Sequence, residues 1–350
     1  MTCGRRMVWV ALVLLGAVLV GSVPAMALGQ EATPTAVTSP EAFVRQLLTT
    51  AYVGETPADG EQAVIAVWNN PAFQFLDETV GAARVIFPSV PFAALTYRVY
   101  PDDAGAAAAL QRETTENAPA VDATVSTPVG FDGMPSALVM AGGESICLVQ
   151  IGNVLVTVRA EDGSLPAGLD TVALAAMLVG HLENVMAASA SLATPTPGGL
   201  LTEIDPWTLH QRLLVEPFAM DEIPAGFTET RIEAWEDFND DDLRGAIGGV
   251  LVTLGDDWLT GMAYVVYPNQ GAADYFFARN TGASADVGGT PVALPTGALD
   301  TPALVIGYDD YVVCVAQIGY VTVIGAADNG DEAIAMASAA VDHLQRVAGT

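Results

Sequence analysis

Few residues in this chain have the chemistry for catalysis or ligation, and those that do recur in pairs. Of three histidines in 350 residues, His181 and His343 stand at equivalent places late in two apolar segments, each followed by leucine, Leu182 and Leu344. On a helix that position is the edge of an apolar stripe near the C-terminus, where the helix dipole favours a cation. Capping or core-edge packing is the first reading, and a metal ligand or general base the second. Cys147 and Cys314 also correspond, at one point of two strand-like runs. In an oxidising compartment two thiols invite a bridge, if their strands meet with Cα atoms within about 7 Å. The preferred reading is two buried free thiols, because Cys is among the most buried residue types.

The densest acidic run, Glu236 to Asp242, alternates Asp237, Asn239 and Asp241 as the start of an EF-hand loop does. Position six is then Asp242 instead of Gly and position twelve Gly248 instead of Glu, so a solvated loop is the first reading and an opportunistic calcium site the second. Carboxylate pairs such as Glu113 with Glu116, Asp256 with Asp257 and Asp309 with Asp310 sit beside turns and helix ends, where acids are ordinary. Arg112 and Arg279 recur on an otherwise acidic, alanine-rich helix, which favours a structural ion pair over anion recognition. Trp68, Trp235 and the pairs Tyr97/Tyr100 and Tyr264/Tyr267 read as core and sheet aromatics before a sugar platform. No Gly-x-Ser-x-Gly elbow, His-Glu-x-x-His, Cys-x-x-Cys or phosphate loop occurs. No catalytic, cofactor-binding or metal-ligating residue is therefore assigned, and no cofactor is called for.

All 12 basic residues are arginine, so lysine chemistry is excluded, Schiff bases and P-loops included. The net charge of −29 repels nucleic acid and anionic headgroups; solubility accounts for it, a cationic partner or metal ions being the sharper alternative.

The elements that must position these residues are duplicated. Phe43-Val-Arg-Gln-Leu-Leu answers Leu209-His-Gln-Arg-Leu-Leu, Tyr97-Arg-Val-Tyr-Pro answers Tyr264-Val-Val-Tyr-Pro, and the segment from Cys147 answers that from Cys314. The offset is 166 to 167 residues, falling to 162 at His343. A unit of about 145 residues is too long for a solenoid repeat and has the size of a domain.

In each copy Ser39-Pro40 or Asp205-Pro206 opens a helix. Three strands follow, over 62–68, 82–87 and 93–100 and again over 229–235, 249–254 and 259–267, the third burying Leu95, Tyr97 and Val99 or Met262, Tyr264 and Val266. An alanine-rich helix starts at Pro101 or Pro268 and ends near Glu113 or Asn280. Three more strands cover 136–141, 145–151 and 154–160, with 302–307, 311–318 and 321–325 as counterparts. The last two join through Gly152-Asn153 or Gly319-Tyr320, a type II′ signature. Helices over 171–187 and 332–347 close the copies. The expected class is α+β: two tandem homologous domains, each a mainly antiparallel sheet of about six strands with about three helices packed on one face.

Arg5-Arg6, the apolar run Met7–Val23 and Ala25-Met26-Ala27 read as a signal peptide over residues 1–27, an uncleaved membrane anchor being the alternative. Thr/Pro spacers cover 28–38 and 189–204, leaving copy 1 at 39–188 and copy 2 at 205–350. The spacers are similar in composition to those of exported bacterial proteins, and the layout resembles bacterial extracytoplasmic sensor and lipoprotein domains. That resemblance transfers no functional residue, and Cys3 precedes the apolar run, which argues against lipidation.

The expected protein is an exported, extracytoplasmic monomer. It binds an unknown small ligand, an envelope component or a protein partner without catalysis, has no nucleic-acid partner, and meets the membrane only through an uncleaved N-terminal segment. The alternative is a secreted hydrolase using a carboxylate pair that the sequence does not single out.

Overall fold

A proline placed after an acceptor side chain starts the first helix of each copy. Ser39 Oγ accepts from Ala42 N at the head of α1 (Pro40–Thr49), and Asp205 accepts from Trp207 N and Thr208 N at the head of α4 (Pro206–Val215). The structure is a computed structural model. It describes residues 39–68, 78–117, 122–189, 201, 204–219, 222–224, 227, 230–235, 243–254, 257–283, 290–292, 299 and 301–349. The signal segment, the acidic run and most of both spacers lie outside these residues. Among the described residues no helix is long and apolar enough to cross a membrane.

Copy 1 continues with β1 (Val64–Val67), β2 (Gly81–Ile86), β3 (Ala94–Val99), α2 (Asp103–Asn117), β4 (Thr124–Ser126), β5 (Ser136–Ala141), β6 (Glu144–Ile151), β7 (Val154–Glu161) and α3 (Thr171–Ser189). Copy 2 repeats the series as β8 (Thr230–Trp235), β9 (Gly248–Leu254), β10 (Asp257–Val266), α5 (Gln270–Ala283), β11 (Thr290–Val292), β12 (Ala303–Gly307), β13 (Val312–Ile318), β14 (Val321–Ala327) and α6 (Gly330–Gly349). Each copy builds its own seven-stranded antiparallel sheet. The orders, β1-β2-β3-β7-β6-β5-β4 and β8-β9-β10-β14-β13-β12-β11, are the same once the copies are aligned. The fold is thus α+β with two sheet-helix halves.

Both β6–β7 and β13–β14 turn in two residues, pairing Ile151 with Val154 and Ile318 with Val321. Gly152 and Gly319 take φ of 55° and 54°, while among the described residues no non-glycine has positive φ, which is the expected II′ pattern. The seventh strand of each sheet, β4 or β11, was not legible. It is three residues long, and all three residues of β4 are exposed, so no alternation marks it.

The inner face of each sheet follows the period-two reading. Leu95, Tyr97 and Val99 join Phe43, Leu47, Leu174 and Leu178 in one core, and Met262, Tyr264 and Val266 join Leu209, Leu213, Met336 and Leu344 in another. At Gly325 a Cβ would come within 2.4 Å of Ala333 O and 2.5 Å of Ala337 N, so glycine there sets how closely α6 lies on the sheet. Leu201, within the second spacer by composition, is buried in this core.

The helices correct the one-face expectation. α1 and α3 cover the inner face, but α2 lies on the other, where Ala106 and Ala109 pack on Ile146, Leu148 and Leu155. The reason is that the central strands are apolar on both faces, which a half-solvated sheet would not tolerate. Thr96 and Arg98, which alternate as an outward face, are 2% and 3% exposed.

In copy 2 the corresponding helix α5 also reaches across to copy 1. Val64, Ala66 and Ile86 of copy 1 form one cluster with Leu243, Ala246, Tyr267, Ala272 and Phe276 of copy 2. Val67 N donates to Gly245 O at 3.2 Å, and the Arg45 guanidinium lies 5.3 Å from the centre of the Trp207 ring. Asn269 is the polar centre of this seam. Its Oδ1 accepts from Ala272 N at 2.8 Å, capping α5 as Asp102 Oδ1 caps α2 through Gly105 N. Its Nδ2 donates across the seam to Leu48 O at 2.6 Å and Ile65 O at 2.7 Å. A carboxylate can do only the first task. Asn269→Asp is therefore expected to keep the cap yet lower the unfolding free energy by about 1–3 kcal/mol, whereas Asp102→Asn stays within about 0.5 kcal/mol, both measured by urea unfolding.

Candidate functional site

The histidine pair is structural. His181 and His343 are both fully buried. Each ring stacks on an aromatic from the stretch after the first helix, Tyr52 at 4.6 Å and Phe218 at 3.9 Å, and each lies within 6.2 Å of the equivalent tyrosine, Tyr97 or Tyr264. Val53 N donates to His181 Nδ1 at 3.1 Å, which places the ring proton on Nε2. In copy 2 His343 Nε2 lies 3.2 Å from Glu216 O and therefore donates to it, while the Tyr264 hydroxyl lies 2.8 Å from Nδ1 and 3.1 Å from Ala340 O. Burial holds both imidazoles below the usual histidine range, outweighing the Val53 contact at His181 and, at His343, the Glu216 contact and the Glu222 charge, with Arg346 acting in the same sense as burial. These are core histidines, eight residues before the end of α3 and six before the end of α6, out of reach of any substrate.

The cysteines are two separate buried free thiols, as preferred above. Burial pushes Cys147 up to about 12 and Cys314 up to about 11. Arg112 pairs with Glu78 at 2.7 Å, the expected structural role, while Arg279 is exposed on α5. Glu113 and Glu116 separate: the first is buried against Arg98 and the second exposed. Asp309 and Asp310 are exposed in the β12–β13 turn, and Asp256 and the Asp257 side chain lie outside the described residues. Among the described residues no three His, Cys, Asp or Glu side chains come together as metal ligands would.

What the structure adds is a difference between the outer faces of the two sheets. In copy 1 that face is filled by charge. Arg98 forms an ion pair with Glu113 of α2 and donates from Nη2 to Thr157 Oγ1 at 2.8 Å, and Arg159 donates to Asn117 at 3.1 Å and faces Glu144 at 3.8 Å. The residues 167 positions later are Val265 for Arg98, Asn280 for Glu113, Ile324 for Thr157, Ala326 for Arg159 and Tyr311 for Glu144. All five line a cavity of about 280 Å³ on the outer face of copy 2.

The cavity floor is sheet, from Leu251, Val265, Thr322 and Ile324, and its walls are aromatic. Trp235 closes one side from β8, Phe277 and Asn280 descend from α5, and Tyr308 and Tyr311 stand at the far edge with ring centres 4.8 Å apart and planes 17° from parallel. Tyr308 N donates to Tyr311 O at 2.8 Å, so the turn carrying Asp309 and Asp310 fixes the pair. Among the described residues no carboxylate, imidazole, thiol or guanidinium lines the cavity. Its arrangement can bind and orient an apolar molecule, with hydrogen bonds available from few groups. Of its residues the sequence reading had singled out Trp235 and Tyr267, both as core aromatics. The usable signal was in the mismatches between aligned copies, where buried charge in one becomes apolar in the other.

No family model and no curated protein matches the chain. A search of solved structures returns the apo form of the immunity protein TplEi of the T6SS from Pseudomonas aeruginosa, 13% identical, with 75% of this chain and 93% of that chain covered at a TM-score of 0.25. So loose a superposition defines neither fold nor function.

Two outcomes are expected from this chemistry. Both imidazoles favour the neutral form in the folded state, so the unfolded chain binds more protons as pH falls below the ordinary histidine range near 6.5. Stability should therefore drop between about pH 7 and 5, and the double variant His181→Gln/His343→Gln should flatten that slope in urea unfolding. Iodoacetamide labelling read by mass spectrometry should modify Cys147 and Cys314 only after unfolding.

Proposed function

We propose that this chain is an exported, extracytoplasmic, monomeric binding protein that performs no catalysis and holds a small apolar ligand in the outer-face cavity of its second copy. The single observation behind this reading is the contrast between copies: one fold, two outer faces, one filled by the Arg98–Glu113 pair and the other left as a void of about 280 Å³ lined by aromatics. Pockets of this kind, apolar with few polar groups, are where small molecules bind. The first copy acts as the support against which α5 is docked, since the cluster around Val64, Ala66 and Phe276 fixes the helix that supplies Phe277 and Asn280 to the cavity. Export rests on the N-terminal segment, and the acidic surface keeps the protein soluble and away from nucleic acid.

A neutral fluorescent probe, N-phenyl-1-naphthylamine, should bind the whole chain and raise its Tm, because a ligand selective for the folded state stabilises it by mass action. Ala326→Phe projects a ring into the cavity and should abolish both effects while the chain stays folded. Equal binding by the wild type and this variant would refute the reading.

A further inference from the structure

The dimensions and polarity of the cavity define a ligand class, given the reading of it as a binding site. We infer that the ligand is a neutral, flat molecule of about two fused rings carrying one hydroxyl or carbonyl group that hydrogen-bonds to Thr322, and that each chain binds one.

Size comes first. A dry cavity of about 150 Å³ accommodates benzene, and this one, at about 280 Å³, is nearly twice as large. Shape follows from the flat sheet floor and the stacked Tyr308/Tyr311 pair opposite Trp235, which favour a planar molecule. An ionised ligand is disfavoured because among the described residues no ionised group lines the site, and an unpaired charge would be desolvated without compensation. A sugar is excluded by the same argument, since most of its hydroxyls would face aliphatic side chains.

Thr322 specifies the polar group. The residue is 5% exposed, it lines the cavity, and its hydroxyl has no hydrogen-bond partner among the described residues. Its counterpart in copy 1 is Leu155, fully buried in the core beneath α2, so the fold has no need of a hydroxyl at this position. A buried hydroxyl without a partner is destabilising, and a ligand oxygen seated on the cavity floor removes that penalty. Copy 1 has no equivalent site, because Arg98, Glu113 and Arg159 occupy the matching space.

The test compares 2-naphthol with naphthalene on the whole chain by equilibrium dialysis, with Thr322→Val and Thr322→Ser. The expected result is one 2-naphthol per chain, naphthalene bound roughly tenfold more weakly, as for the loss of one hydrogen bond. The preference should vanish in Thr322→Val and return in Thr322→Ser. Thr322→Val should also have a higher Tm than the wild type in the absence of ligand, which shows that the valine variant is folded. Equal binding of the two compounds, or a preference unchanged in Thr322→Val, would overturn the assignment of the ligand class and leave the cavity as an apolar site. Two molecules per chain would overturn the stoichiometry. Binding of neither compound, together with no Tm shift by N-phenyl-1-naphthylamine, would overturn the binding-protein reading itself.

Discussion

Both faces of each sheet must be covered, and the rest of the molecule follows from how that constraint is met. β3, β6 and β7 carry Leu95, Tyr97, Cys147 and Val156 on one side and Arg98, Ile146, Leu148 and Leu155 on the other, all buried. Water on either face would expose a large apolar area at roughly 25 cal/mol per Å². α1 and α3 cover the inner face, leaving α2 as the helix available for the outer one. It is narrow there because Ala106 and Ala109 let it approach closely, so it covers β5 to β7 but leaves β1 and β2 open. That uncovered strip is where α5 of the other copy docks. The two copies are therefore asymmetric partners: the outer edge of the first sheet is closed by the second copy's helix.

Docking α5 onto copy 1 changes what the helix can do for its own sheet. Ala272, Ala273 and Phe276 face the seam, with Tyr267 stacked on Phe276 at 5.6 Å. Phe277 and Asn280, next along the helix, then turn toward the outer face of sheet two. In copy 1 the residue matching Asn280 is Glu113, which reaches Arg98 and closes the face. With Val265 in place of Arg98, that position carries no charge for a helix residue to neutralise. The two copies have corresponding outer faces, and an ion pair present on one and absent from the other makes them different.

Much of this architecture was legible because it depends on local signals. Ser39-Pro40 and Asp205-Pro206 mark helix starts through capping chemistry, Gly152 and Gly319 mark tight turns through positive φ, and Leu95/Tyr97/Val99 mark a buried face through period two. The missing parts depend on contacts distant in sequence. Arg98 reads as solvent-facing until Glu113 is placed over it, and the three exposed residues of β4 carry no pattern of their own. The role of Asn269 in joining the copies also lies beyond local reading, because its cap resembles that of Asp102 and the difference rests on two carbonyls more than 200 residues away. The cavity was hidden for a related reason. Agreement between the copies establishes the duplication, but the site is made of their disagreements.

The disagreement between the copies has an energetic cost. Replacing a buried ion pair by apolar residues of equal volume is often harmless or stabilising. Here the replacement is uneven: Val265, Asn280 and Ala326 are smaller than the Arg98, Glu113 and Arg159 they match, while Ile324 and Tyr311 are larger than Thr157 and Glu144. An unfilled cavity of about 280 Å³ would cost about 7 kcal/mol by the scale of about 24 cal/mol per Å³, a sum that water entering from the open side reduces. A few such kilocalories are a large part of the net stability of an ordinary domain, near 5–15 kcal/mol. Larger aliphatic side chains at positions 265 and 326 would have closed the void by simple substitution. The stacked Tyr308 and Tyr311 instead stand where copy 1 has Ala141 and Glu144 and shape the space, while Trp235, matched by Trp68, is common to both copies.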